Sequence, residues 1–212
     1  MDTNDVSVVI CCAGMGTRLG IGTTKALVNV CGIPLIVRQL ELLKDYSDIR
    51  IVVGYQAERV IEVVNKYRKD VMFAFNYDYK DTGAAASLEK GALGAKEYVV
   101  SIDGDLLVNP EDFYMFMKYD GECIAVSGNN SDEPIRVKVS EGKAEHFTKE
   151  GNYEWPGLMK IKVNHIKRQK GHTYEMLEEI FPIDAILVRC RDIDTEEDYE
   201  RAVAWVEKGC IE

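Results

Sequence analysis

Ser7-Val8-Val9-Ile10-Cys11-Cys12-Ala13-Gly14-Met15-Gly16-Thr17-Arg18 carries the strongest signal in the chain, and Lys25 follows seven residues later. An apolar run empties into a loop that is almost without side chains. A buried strand ending this way lets backbone N–H groups approach a polyphosphate, and two cations follow where its negative charge needs them. The stretch reads as a nucleotide triphosphate loop. Ala13, Gly14, Met15, Gly16 and Thr17 are its nucleotide-binding backbone, and Arg18 and Lys25 are the candidate catalytic cations.

Neighbouring phosphate motifs fail on particular residues. A dinucleotide fingerprint needs a third glycine where Leu19 stands, and an acid after the second strand, where Gly54-Tyr55 follows Ile49 to Val53. A P-loop needs Ser or Thr after its lysine, but Ala26 follows Lys25.

Around this loop the chain alternates strand and helix patterns. Pro34 opens a helix striped by Leu35, Ile36, Leu40, Leu42 and Leu43, followed by a strand from Ile49 to Gly54. A helix over Ala57 to Lys66, a strand over Val71 to Phe75, a helix over Ala85 to Ala95 and a strand over Tyr98 to Ile102 continue the pattern. Repeated βα units imply a parallel sheet covered on both faces. Beyond the helix at Pro110 to Lys118 and the strand at Cys123 to Val126, Ile135 to Val139 and Lys143 to Phe147 flank Glu141-Gly142 as a hairpin. A strand at Leu158 to Val163, a helix near Tyr174 to Ile180, a strand at Ile183 to Val188 and a helix at Thr195 to Lys208 complete the pattern. The expected class is α/β: a three-layer α/β/α architecture whose mostly parallel, Rossmann-like sheet has a small antiparallel addition. One domain is expected over residues 1–212, with an acceptor-side hairpin and strand insertion at about 130–165.

Composition narrows the partners. With 26 basic and 36 acidic residues the net charge is −10, which disfavours nucleic acid and anionic membranes as partners. No apolar run reaches the ~18 residues of a membrane span, and Met1-Asp2-Thr3-Asn4-Asp5 is too acidic for a signal peptide, so a cytoplasmic location is expected. Six cysteines without a C-x-x-C pair read as buried reduced thiols. Oligomeric state is open, a homodimer being one option.

Carboxylates sit where an open parallel sheet binds ligands, beyond its strand ends. Asp103-Gly104-Asp105 leaves a buried strand and reads either as a divalent-cation site or as an ordinary Asp-Gly turn. In Asp192-Ile193-Asp194-Thr195, a capping box explains Thr195 and Asp198 but not Asp194, which stands outside the helix and can complete a metal site with Asp105. Between them, Gly83 and Ala84 leave room for a planar base beside Ser87, or else serve close helix packing.

Together these residues resemble the nucleotidyltransferases with a glycosyltransferase-A-like Rossmann fold, a superfamily of sugar-phosphate, molybdopterin and choline-phosphate nucleotidyltransferases. Its opening signature Ala-Ala-Gly-x-Gly-Thr-Arg, then Pro-Lys, appears as Cys12-Ala13-Gly14-Met15-Gly16-Thr17-Arg18 and Thr24-Lys25, with Thr24 in place of proline. Gly32-x-Pro34-Leu35-Ile36, the run from Val52 to Glu58 and the run from Ile193 to Asp198 are further matches. The resemblance implies that Asp105 and Asp194 hold Mg²⁺ with Asp103 in support, while the loop and Lys25 hold the triphosphate. Small size, with Asn76, Tyr79, Thr82 and Ser87-Leu88, looks like the branch of cytidylyltransferases acting on choline phosphate or phosphonates.

The expected reaction is attack by an anionic acceptor oxygen on the α-phosphorus of a nucleoside triphosphate, CTP by preference, with release of pyrophosphate. For the acceptor, Lys149, Glu154 and Trp155 are candidates, through a cation for its phosphate and an aromatic face and carboxylate for an ammonium head. Trp155 packed over the core is the competing reading. Three other functions remain open: a sugar-1-phosphate nucleotidyltransferase, a glycosyltransferase using Asp103 and Asp105, and a nucleotide-sensing protein that has lost catalysis.

Overall fold

The computed structural model describes residues 5–16, 19–20, 22–128, 131 and 134–210. The chain runs through β1 (Val6–Cys12), the short hairpin β2 (Asn29–Val30) and β3 (Ile33–Pro34), α1 (Leu35–Leu42), β4 (Ile49–Val53), α2 (Ala57–Tyr67), β5 (Met72–Phe75), α3 (Ala84–Ala92) and β6 (Tyr98–Asp103). It continues through β7 (Leu106–Val108), α4 (Pro110–Lys118), β8 (Cys123–Val126), the hairpin β9 (Arg136–Ser140) and β10 (Lys143–Phe147), β11 (Tyr153–Glu154) and β12 (Met159–Lys162). The last elements are α5 (Thr173–Glu178), β13 (Ile183–Leu187), β14 (Cys190–Asp192) and α6 (Glu196–Glu207).

Ten strands make one sheet in the order β5-β4-β1-β6-β12-β8-β13-β10-β9-β11. β5, β4, β1 and β6 are mutually parallel, as are β8 and β13. Strand alternation sends successive side chains of β1 to opposite faces. Val6, Val8, Ile10 and Cys12 pack in one core with α1, α2 and α4, while Val9 packs in a second with Ala85, Leu88, Met176 and Leu177 of α3 and α5. The molecule is therefore the three-layer α/β/α sandwich that the sequence implies. A third cluster at the carboxyl end holds Ala202 and Trp205 of α6 against Val28, Val30, Leu35, Leu107 and Ile193. Among the described residues no helix is long and apolar enough to cross a membrane.

The antiparallel addition is built into the main sheet. β12 lies antiparallel between β6 and β8, and the β9–β10 hairpin joins through β13. A strand buried on both faces reads the same in either direction, so its reversal leaves no mark in composition. The cysteines also divide: Cys12, Cys123 and Cys190 are buried, but Cys31 is exposed on the β2–β3 turn, where its φ is 50°.

Candidate active site

Parallel register assembles the site. Cys11 of β1 lies beside Asp103 of β6, so the loop after β1 and the acid turn after β6 leave the sheet as neighbours. Gly104 N donates to Cys11 O at 3.0 Å, and a Cβ at 104 would stand 2.8 Å from that oxygen, so only glycine fits the crossing. From behind, the buried Gln39 of α1 donates through Nε2 to the carbonyls of Asp103 (2.8 Å) and Leu106 (2.9 Å), pinning both ends of the turn.

Beyond these strand ends opens a cleft of about 300 Å³. One wall is Ala13, Gly14, Gly16, Thr24 and Lys25, the floor is Asp103 to Asp105, and the far wall is Asn76, Tyr79, Thr82, Gly83, Ala84 and Ser87. A Cβ built on Gly14 meets nothing within 4 Å, so the space beside it is open to a ligand. Met15 is exposed beside the loop. Thr17 and Arg18 lie outside the described residues.

The far wall is ordered by Asn76, which is buried and donates through Nδ2 to Thr82 Oγ1 (3.2 Å) and Ser87 Oγ (3.0 Å). Thr82 in turn donates to Asp78 O at 2.8 Å. Gly83 lines the cleft, but a Cβ there would come within 2.2 Å of Gly171 O, and Gly83 N donates to Lys170 O at 2.7 Å. Close packing against residues 170 and 171 therefore accounts for this glycine.

Lys25 joins the acids of two distant segments. Its ammonium donates to Asp105 Oδ2 at 2.7 Å and also to Asp194 Oδ1. Asp194 is positioned by the start of α6, where Thr195 and Asp198 form the expected capping box and Asp194 N donates to Asp198 Oδ2 at 3.3 Å. Burial alone would push the Lys25 ammonium down, but Asp105 and Asp194 outweigh it and the net shift is upward. Asp103 is pushed up to about 8 by burial first and then by the charges of Asp105 and Asp194, against the pull of Lys25.

Sequence reasoning gave no role to Asp192. Burial first, then the charges of Asp105, Asp103 and Asp194, raise it well above the carboxylate range. Four acids thus crowd one ammonium, and the upward shifts of Asp103 and Asp192 show that one cation does not offset them all as carboxylates. The i, i+2 spacing of Asp192 and Asp194 was the available signal. Cys11 and Cys12 line the cleft, but their thiols are pushed up by burial first and then by the nearby aspartates, so they stay protonated and are poor nucleophiles.

The donor set fits a hard divalent cation. Asp105 and Asp194 already share one cation, the Lys25 ammonium, and Mg²⁺ takes one or two carboxylates and completes its shell with phosphate oxygens and water. Among the described residues no group of three or more His, Cys, Asp or Glu forms a ready-made metal cage.

The acceptor candidates are scattered. Trp155 is buried, tilted against Phe147 with ring centres 5.7 Å apart, and donates through Nε1 to Leu158 O. Glu154 is buried and accepts from Ser131 Oγ at 3.3 Å, while Lys149 is exposed beyond β10. None of the three lines the cleft. Their segment reaches the site at Gly157, where an added Cβ would stand 2.2 Å from Asp103 Oδ2.

Comparison with known proteins gives the chain's family. The family model described as MobA-like NTP transferase domain matches residues 8–145. Choline-phosphate cytidylyltransferase of Streptococcus pneumoniae is 40% identical over 111 residues, covering 49% of this chain and 47% of that protein. The bifunctional protein GlmU of Campylobacter curvus is 26% identical over 189 residues, covering 85% of this chain and 42% of GlmU. The matched stretch is thus less than half the length of either relative. Among solved structures, the CTP:phosphocholine cytidylyltransferase of Streptococcus pneumoniae superposes with a TM-score of 0.78 at 21% identity, over 95% of this chain and 99% of that one.

Proposed function

The chain belongs to the family of MobA-like NTP transferase domains, and from that premise we propose that it transfers CMP from CTP to a small phosphorylated or phosphonate acceptor, releasing pyrophosphate. The observation that carries this reading is Lys25, which lines a cleft beside a side-chain-poor loop and reaches the acids of two separate segments. The lean to CTP is supported by the identity to choline-phosphate cytidylyltransferase, and Asn76, Thr82 and Ser87 line the wall beside which a base would lie.

In the proposed reaction an acceptor oxygen attacks the α-phosphorus, a new P–O bond forms, and the bond to the β-phosphate breaks with its electron pair leaving on pyrophosphate. Because the acceptor oxygen is already anionic, no side chain has to remove a proton. Catalysis then rests on alignment and charge neutralisation. In this reading backbone amides from Ala13 to Gly16 would hold the triphosphate and Lys25 would balance its charge, with Arg18 assigned to the same task from the sequence pattern alone. Asp105 and Asp194 would hold Mg²⁺, with Asp103 in support; when bound, the ion neutralises charge developing on the phosphate oxygens.

The test is pyrophosphate release with Mg²⁺ and each of CTP, UTP, GTP and ATP against phosphocholine, 2-aminoethylphosphonate, glycerol phosphates and hexose 1-phosphates. Turnover with CTP and a small phosphorylated alcohol or phosphonate is expected. Reaction with hexose 1-phosphates alone would move the assignment to sugar nucleotidyl transfer, and nucleotide binding without turnover would point to a sensor.

A further inference from the structure

We propose that Lys25 is the resident occupant of the cation position: its ammonium fills the place between Asp105 and Asp194, and a triphosphate draws it away so that a divalent cation can take that place. Nucleotide and metal then load as a coupled pair. The inference rests on the metal reading above and adds a competition between lysine and metal to it.

The geometry supplies both ends of the exchange. At its head, Lys25 bonds to oxygens of both acids, 2.7 Å from Asp105 Oδ2. A divalent ion shared by the same two carboxylates needs the same place, and two cations cannot fill it together. Along its stem, Lys25 runs against the phosphate loop, since a Cβ on Gly16 would stand 2.8 Å from Lys25 Cγ, and Gly16 has a φ of +61°. The side chain therefore spans both subsites, with its stem beside the loop and its head in the acid cluster. Rotation about its outer bonds carries the ammonium from the carboxylates into the cleft without moving the backbone. The contacts it leaves are partly solvated, because the side chains of Lys25, Asp105 and Asp194 are 17%, 22% and 28% exposed. Such a pair is released far more readily than a fully buried one.

The consequence is a reciprocal coupling: whatever factor a triphosphate gains for the metal by removing Lys25, the metal gains for the triphosphate. The experiment measures Mn²⁺ binding to metal-free protein by the electron spin resonance of free Mn²⁺, with and without CTP and with no acceptor present. Wild type is compared with Lys25→Met, which keeps most of the stem against Gly16, and Lys25→Gln, each checked by circular dichroism. Without nucleotide, both variants are expected to bind Mn²⁺ about tenfold more tightly than wild type, within the usual range of coupling between sites. CTP should tighten Mn²⁺ by a larger factor in wild type than in either variant.

A simple loss of positive charge nearby would also tighten Mn²⁺, but with every protein saturated in CTP and the Mn²⁺ held by free CTP subtracted, it would leave the CTP effect equal in all three proteins. Equal CTP effects, or equal Mn²⁺ affinity without nucleotide, would overturn the exchange and leave the metal reading standing. Absence of Mn²⁺ binding in every protein, with CTP or without, would remove the metal reading and the exchange together.

Discussion

Gln39 occupies the buried side of α1, and its amide nitrogen bridges two carbonyls that bracket the acid turn. Replacing it by Leu leaves those carbonyls unpaired and frees the turn that aims Asp105. We expect Gln39→Leu to fold yet to need on the order of tenfold more Mg²⁺ for half-maximal rate, as supports of metal ligands commonly do. An unchanged Mg²⁺ dependence would show that the turn holds itself. Lys25→Met should lower kcat by about 10²–10³, the usual effect of removing an electrostatic donor to a transition state, with steady-state rates of pyrophosphate release as the check. These residues differ in how far the sequence reveals them. Lys25, Asp105 and Asp194 stand out because strand ends, loop spacing and an unexplained acid before a helix cap are local features. Gln39 and Asp192 do not, because a polar residue on an apolar stripe and an acid next to a capping box acquire their roles only when the fold brings residue 39 to 103 and residue 192 to 105.

Three helices end on cations supplied by other segments. The guanidinium of Arg50 on β4 donates to Leu93 O (2.8 Å) and Gly94 O (2.9 Å) past α3, and Arg68 donates to Leu43 O (2.8 Å) at the end of α1. Lys160, fully buried on β12, donates to Met117 O (2.9 Å) and Tyr119 O (2.8 Å) at the end of α4. Terminal carbonyls lack partners within their own helix and carry the negative end of its dipole, so a cation satisfies both needs. Lys160→Met should strand those carbonyls at a cost of about 1–3 kcal/mol, seen as a melting temperature lower by roughly 2–4 °C for each kcal/mol. A second test uses pH. Burial pushes the Asp48 carboxyl up, but hydrogen bonds from Arg50 and Ser7 outweigh it and hold it below the usual range. A depressed carboxylate stabilises the fold fully above its unfolded value near ~3.9 and loses that contribution as pH falls through its lower folded value. The stability gap between wild type and Asp48→Asn should therefore be widest near neutrality and close in acid; a gap that persists in acid would mean that the asparagine fails for reasons of shape. Arg50 and Lys160 also show the limits of pattern reading. The strands that carry them were placed by their apolar neighbours, but the direction of β12 and the service each cation gives to a helix lie in pairings far apart in sequence.

At the scale of the molecule, one sheet runs through both main cores and the site ties the chain's two ends together. Lys25 bonds to Asp194, Tyr199 of α6 donates to Asn29 O at 3.1 Å, and Asn109 donates to Cys210 O at 2.7 Å. These links tie the start of α6 to Lys25, its middle to β2 and the residues after it to the cap of α4, although α6 packs in its own small cluster. The two tryptophans report on different parts of this arrangement, Trp155 in the core beneath α3 and α5 and Trp205 in the cluster of α6. A shared sheet and cross-links of this kind favour a single cooperative transition, as small domains usually show. We therefore expect Trp155→Phe and Trp205→Phe, each leaving one reporter, to give the same urea midpoint relative to far-ultraviolet circular dichroism of the same variant. Mg²⁺ with CTP at about a hundred times its Kd should then raise both midpoints together, since a ligand that binds only the native state adds about 2.7 kcal/mol at that ratio. If Trp205 responds at lower urea than the circular dichroism, α6 opens ahead of the sheet and takes Asp194 with it. Ligand would in that case move the Trp205 transition most, because forming the acid pair would have to close α6 before it could stabilise anything else.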